Sequence, residues 1–226
     1  AIVTIWAVAT LTFFLMNMVP GGPFLSEKAI SPQATAALEA KYGLDKPLGE
    51  QYVTYITGVA HGDFGDSLKQ RGRTVAGIIQ AKFPVSAKIG GISVLISLIL
   101  GVLLGSIAAL KRGKFLDSLI SVISTMGIAV PSFVICTVLM YFFGVKFKIL
   151  PTMGLSSWQN YIMPVAALAF YPTAYIMRLM RSSMLDVLGQ DYMRTAKAKG
   201  LSGKVQLFKH ALRNAILPVV TYVGPM

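Results

Sequence analysis

The chain has 226 residues, of which 54% are hydrophobic and only 13% charged, with a net charge of +12. A soluble domain carries about 25% charged residues, so about half of the usual solvating charge is missing and length has to be counted in membrane spans. The single cysteine, Cys136, lies in an apolar run, which excludes a disulfide framework and any cysteine-based metal spacing.

Ala1 to Val19 is apolar, carries no charged flank or small-residue cleavage site, and reads as a transmembrane helix entered partway rather than a signal peptide. The Pro20-Gly21-Gly22-Pro23 breaker closes it. Pro20 to Pro84 is a nearly balanced polar segment, with six acids against seven bases. Ser31-Pro32 before "QATAALEAKYG" supplies an N-cap, a proline at the first helical position and a terminal glycine, the start and stop signals of a helix. Tyr52, Ile56 and Val59 recur at helical spacing, "HGDFGDS" is a turn by composition, and Arg73 to Phe83 is a further short helix. His61 and Asp63 have no partner cluster, so no metal site is expected. This segment reads as a small helical cap.

Three more apolar stretches are long enough to cross: Val85 to Leu110, Ser118 to Gly144, and Ile162 to Met184. Ile216 begins a fifth. Their length and lack of strict alternation make them helices, and the fold all-α and polytopic. "KRGKFLD" carries Lys111, Arg112 and Lys114 against Asp117, and the last loop is equally basic. The basic excess marks the cytoplasmic side. Residues 111–117 and 185–213 are then cytoplasmic, and 20–84 and 145–161 external. The +12 is mainly topology, with some attraction to anionic lipid, and nucleic acid is not a partner.

No complete span holds an Asp, Glu or His, which argues against a carrier driven by protons or ions, although carbonyl-built sodium sites stay open. Lys88, Arg178 and Arg181 lie near span ends, where long side chains reach the interface. Gly113-Lys114 is not a phosphate loop, because Ala108 stands where the first glycine belongs and Phe115 comes next. The chain has no catalytic residues of that kind and binds no cofactor itself. Pro131, Pro164 and Pro172 kink spans, and with Ser132 they are the pathway candidates. Gly101, Gly105 and Ala109 form a small face for close helix packing.

Between spans four and five, Leu185, Leu188, Tyr192 and Ala196 recur at steps of three and four, then Gly200 interrupts. Ser202 is placed to cap a second helix, on which Leu201, Val205, Phe208 and Leu212 recur. The segment is thus two amphipathic helices with basic outer faces. They read either as a cationic pair lying in the headgroups or as a docking element for a cytoplasmic partner.

Arg194 to Ser202 ("RTAKAKGLS") and His210 to Val220 ("HALRNAILPVV") resemble the cytoplasmic loop of permeases from the oligopeptide/dipeptide branch of ATP-binding-cassette importers. "MVPGGPF", "YGLDKPLGEQY", "GDFGDSL", "AALKRGKFLD" and "VPSF" are similar to that branch in the same order, so the likeness covers essentially the whole chain, most like a B-type subunit. The general importer loop begins Glu-Ala-Ala; Arg194, Thr195 and Ala196 stand there, a departure shared by the branch. The resemblance implies a type I importer transmembrane domain of about six spans, the last missing from a chain clipped at both ends. It divides the chain into a first helix (1–19), a cap (20–84) and a permease core (85–226).

It also implies partners: a second homologous permease, two ATPase subunits that bind ATP and magnesium, and an external solute-binding protein. The coupling loop would comprise Arg194, Thr195, Ala196, Lys197, Lys199, Gly200, Leu201, Ser202, Lys204, His210, Arg213 and Asn214. Oligopeptides are the expected cargo; dipeptides, nickel complexes or glutathione are the alternatives within the architecture, and a lone carrier or channel, or a lipid-binding scaffold, the alternatives outside it.

Overall fold

The computed structural model describes residues 1–19, 32–70 and 72–226. The Pro20–Pro23 breaker, the "MVPGGPF" junction, the Ser31 cap and Arg71 lie outside the described residues, wholly or in part. The described residues form helices joined by turns, apart from one isolated bridge between Asp66 and Thr74. They fall into two compact units, Ala1–Pro84 and Val85–Met226.

The first unit contains α1 (Ile2–Met18), α2 (Pro32–Tyr42) and α3 (Leu48–Ala60). Pro32 opens α2, and Gly43, with φ +67°, comes after its last residue, as the stop signal requires. Tyr52, Ile56 and Val59 are the half-buried stripe of α3. Tyr52 shares a 2.8 Å hydrogen bond with Thr10 of α1, while Phe13 stacks on Tyr55 and Phe14 on Tyr52. The apolar α1 is thus tied to the cap through aromatic rings. His61 Nδ1 donates locally to the Thr57 carbonyl at 2.7 Å.

The second unit is built around α7 (Gln159–Leu188), a 30-residue helix with Pro164 and Pro172 inside it. Several helices lie against it, two of them at glycines. One is α4 (Val75–Leu110), which carries the boundary between the units at Pro84. The sequence reading made Arg73 to Phe83 a separate short helix; instead Val75 to Leu110 is one continuous run of 36 residues. Pro84 lies well past the first turn, yet the residues on either side stay helical.

The other is α5 (Phe115–Ala129), and here the structure adds a break. Ser118 to Gly144 is not one straight helix. α5 stops at Val130, where φ/ψ is extended, and Pro131 starts α6 (Ser132–Leu139), which runs on as a π-helical segment, Met140–Lys146. The two halves are bent by 102°. A proline disfavours the α conformation in the residue before it, so Val130-Pro131 is a corner rather than a kink. Two described helices are therefore long and apolar enough to cross a membrane alone, or three if the bent pair counts as one.

In lipid, apolar surface gains nothing by leaving the solvent, so helices associate through close van der Waals fit and buried hydrogen bonds. Gly101 and Gly105 bring α4 onto α7: a Cβ on Gly105 would lie 2.5 Å from the Met177 carbonyl oxygen, and one on Gly101 2.6 Å from Ile176. Gly127 does the same for α5, with a hypothetical Cβ 2.6 Å from that of Ala174. Ser93 and Ser97, one turn apart, donate to the Val165 and Ala169 carbonyls at 3.2 and 3.0 Å, giving a two-rung ladder between α4 and α7. Replacing Gly105 with leucine is expected to cost several times the roughly 1–3 kcal/mol of ordinary overpacking, because backbone rather than a flexible side chain is in the way. The readout is thermal stability in detergent; Gly90→Leu, which faces open space, should change it little.

Candidate functional site: the loop after α7

α7 ends at Leu188 and the chain turns through Gly189-Gln190 into α8 (Asp191–Ala198). The sequence reading ran one stripe from Leu185 to Ala196. The break at Gly189 resets it: Met193 and Ala196 are buried, while Tyr192 is exposed. α8 ends in a Schellman turn. Gly200 sits at φ +72°, its amide bonds the Lys197 carbonyl at 3.0 Å, and the Leu201 amide reaches back to Ala196 at 3.3 Å. Only glycine takes that φ without strain, and a Cβ there would meet nothing within 4 Å. The corner is an exposed tip.

From Gly203 to Val223 the chain is helical except at Ile216: α9 (Gly203–Val205), a π-helical segment (Gln206–Ala211), α10 (Leu212–Ala215) and α11 (Leu217–Val223). Ser202 occupies the N-cap position of α9, but its side chain makes no capping bond; the Leu201 carbonyl instead accepts from Gln206 Nε2 at 2.6 Å. The π-helical segment also overturns the second expected stripe. A π-turn holds more residues than an α-turn and so rotates every residue beyond it about the helix axis. Phe208 and Val205 face outward, and Ala211, Ala215 and Val219 are buried instead.

Those three alanine and valine positions pack with Met193 against Ile176, Met180 and Met184 of α7 in one apolar cluster. Asn214 Nδ2 donates to the Tyr192 hydroxyl and to the His210 carbonyl, both at 3.0 Å, fastening α10 to α8. The loop is therefore joined to a membrane helix as one packed body. Arg194, Thr195, Lys197, Lys199, Gly200, Ser202, Lys204, Arg213 and Asn214 are exposed, His210 and Leu201 half-buried, and Ala196 faces inward. Arg194 pairs with Asp191 at 3.4 Å, but both are so exposed that the pair adds little.

The other basic loop is fixed by an ion pair that sequence reasoning missed. Arg181 does not reach outward from a span end. Its Nε and Nη2 donate to Asp117 at 2.5 and 2.9 Å, while the Gly113 amide donates to Asp117 Oδ2 at 2.9 Å. Asp117 lies on the loop side of its apolar stretch. The Arg181 guanidinium, helped by the Gly113 amide, holds its carboxyl down at about 2 against the opposing effect of burial, so it is charged throughout the neutral range. No spacing rule links positions 64 residues apart, so nothing local marked this pair.

The pathway candidates do not assemble. Pro131 and Ser132 are exposed at the α5–α6 corner, Pro164 is half-buried and Pro172 buried within α7. A cavity of about 550 Å³ lies among α4, α5 and α7, lined by residues such as Ile92, Ile96, Ile123 and Phe170, with Lys88 over the Tyr161 ring at 4.6 Å at one end. Its one aliphatic hydroxyl, on Thr173, is already given to the Ala169 carbonyl. None of the four candidates lines it. Among the described residues no group of three or more His, Cys, Asp or Glu is placed to hold a metal.

Apolar helices long enough to cross a membrane, with a polar segment packed on one of them, are the form of a polytopic membrane protein. The chain belongs to the binding-protein-dependent transport system inner membrane component family, which matches residues 101–225; the N-terminal region of such membrane components matches residues 1–90. It is 44% identical over 223 residues to the dipeptide transport system permease protein DppB of Bacillus subtilis, covering 99% of this chain and 72% of that one. It is 42% identical to the oligopeptide transport system permease protein OppB of Haemophilus influenzae and 41% to that of Salmonella typhimurium, in each case over 100% of this chain and 74% of the relative. The protein is thus a multi-pass component of the cytoplasmic membrane, a transport subunit that works with a binding protein and ATPase subunits.

Removing Arg181 leaves the Asp117 carboxylate, only 7% exposed, without its cation. Arg181→Ala is expected to destabilise by about 3 kcal/mol and Asp117→Ala/Arg181→Ala together by clearly less. Arg181→Lys, which loses the fork geometry, should fall between wild type and Arg181→Ala in melting temperature.

Proposed function

We propose that this chain is the translocation subunit of an ATP-driven importer for peptides, oligopeptides foremost, and that ATP-driven motion enters it at the Lys199–Lys204 corner. The observation that supports the cargo is the similarity to dipeptide and oligopeptide permeases over practically the whole chain. Support for the coupling role comes from the exposed Gly200 tip on a segment packed to α7. A push on the tip is transmitted because Met193, Ala211, Ala215 and Val219 grip the α7 end, and α9 to α11 run on nearly unbroken into the fifth apolar stretch.

In this reading two ATPase subunits seat the corner in surface grooves, a second homologous permease completes the path, and a solute-binding protein delivers cargo from outside. The basic residues around the corner face the ATPases' acidic groups. Residues 111–117 and 185–213 lie in the cytoplasm, and 20–84 and 145–161 outside. ATP and magnesium bind on the ATPases, and the purified chain alone hydrolyses no ATP.

Gly200→Asp forces a side chain into a left-handed backbone conformation at a cost of roughly 1–2 kcal/mol and adds a charge at the tip. The expected outcome is loss of ATP-driven peptide uptake in vesicles holding the whole importer, with the variant still present in the membrane and ATP hydrolysis no longer stimulated by the loaded binding protein. Unchanged uptake would remove the coupling assignment.

A further inference from the structure

α7 carries two unlike faces. One lines the hydrocarbon-walled cavity among α4, α5 and α7 and offers a passing peptide no free hydrogen-bonding group except at its Lys88–Trp158 end. The other displays Tyr171, Tyr175 and Arg178 at i, i+4 and i+7, a single helical stripe. Tyr171 and Tyr175 stack at 6.4 Å, and Tyr175 stacks on Tyr222 of α11 at 4.3 Å, so three rings run in a row. Both α7 tyrosines are exposed, and none of the three hydroxyls has a hydrogen-bond partner among the described residues.

Arg178 continues this row. With Arg181 it lines a cavity of about 210 Å³ whose opposite wall includes Ser121, Ser124 and Thr125 of α5. Arg181 is engaged by Asp117, whereas Arg178 has no acidic partner among the described residues. This end of the row therefore holds an unneutralised cation.

Depth distinguishes the tyrosines from interface anchors. The Asp117 pair places Arg181 at the level of the 111–117 loop. Tyr171 lies ten residues further along α7, about 15 Å at 1.5 Å per residue, which is the middle of a hydrocarbon core about 30 Å thick. Aromatic belts sit at the two interfaces. Phenol hydroxyls facing outward at such depth need a polar neighbour, and groups of that kind line substrate paths, while Arg178, about one turn from Arg181, closes the row at its loop end.

We propose that the Tyr171–Tyr175–Tyr222–Arg178 face is the surface along which peptide crosses, the rings taking side chains of any kind, the hydroxyls bonding peptide backbone, and Arg178 receiving the C-terminal carboxylate. This rests on the peptide-importer reading above. Flat rings with one polar tip suit cargo of varied sequence because they bind by area rather than by a side-chain code. The commitment is to a peptide in transit; lipid and a neighbouring permease helix are the competing occupants.

The test uses the full importer reconstituted with its ATPases and loaded binding protein. Tyr175→p-benzoylphenylalanine is photolysed during turnover of a tritiated pentapeptide, beside the same substitution at Leu95, exposed on α4 outside that row. A tritiated adduct at 175 and none at 95 is expected; adducts at 175 only with lipid or with another permease subunit would overturn the proposal. In the same vesicles Arg178→Ala should slow uptake of the free-acid pentapeptide about tenfold, as for a lost hydrogen bond to a charged group, with Arg178→Lys largely restoring it. The C-terminally amidated pentapeptide should be insensitive to either change. Equal loss for both peptides, or none for either, would sink the carboxylate role. Should the wild-type importer take up a tritiated non-peptide solute instead, the peptide assignment fails, and the adduct at 175 with that solute still decides whether this face is the path.

Discussion

The fold depends on how closely two helices approach α7. Water is absent as a driving force within the bilayer, so the bundle is held by contact distance and by hydrogen bonds that have nowhere else to go. Gly101, Gly105 and Gly127 remove the side chains that would hold α4 and α5 away, and the Ser93 and Ser97 hydroxyls then reach α7 carbonyls across the gap. With the backbones this close, Asp117 and Arg181 come within bonding range, and the loop before α5 is pinned to the far end of α7. The same end of α7 presents the methionines that hold the α8–α10 segment. Close approach at three glycines thus places both polar loops.

The two basic loops are attached by different means. Residues 111–117 are fastened by a partly buried charge pair, which penalises any departure from its geometry. The segment after α7 keeps nearly all of its charge at the surface, and its attachment is apolar. Apolar contacts are non-directional and tolerate small rotations, whereas a bidentate pair does not. The coupling role proposed for this segment suits the first kind of joint, with a glycine corner whose backbone no other residue would hold at equal cost.

Much of this was legible in the residues. Apolar length announced membrane helices, and the ordered run of motifs from "YGLDKPLGEQY" to "HALRNAILPVV" announced the family, which the similarity to permease components then established. The Gly101/Gly105 face was readable because small residues four apart have few other uses in an apolar helix. What misled was periodicity applied across breaks. The stripe from Leu185 to Ala196 assumed no interruption at Gly189, and that from Leu201 to Leu212 assumed about 3.6 residues per turn through a π-helical segment. Ser118 to Gly144 looked like one straight helix because hydropathy records composition and is blind to direction.

By itself, then, the sequence determined those properties that depend on composition and nearest neighbours: membrane residence, helical class, the glycine corner at 200 and the turn-forming capacity of the cap. Only tertiary structure decided which residues meet. The pairing of Asp117 with Arg181, the Tyr171–Tyr175–Tyr222 row and the burial of Ala211 and Ala215 in place of Phe208 all join positions on different helices or after a change of helical pitch. Such meetings depend on interhelical distance and rotation, which are set by the summed packing of α4, α5 and α11 on α7 and by no short stretch of residues.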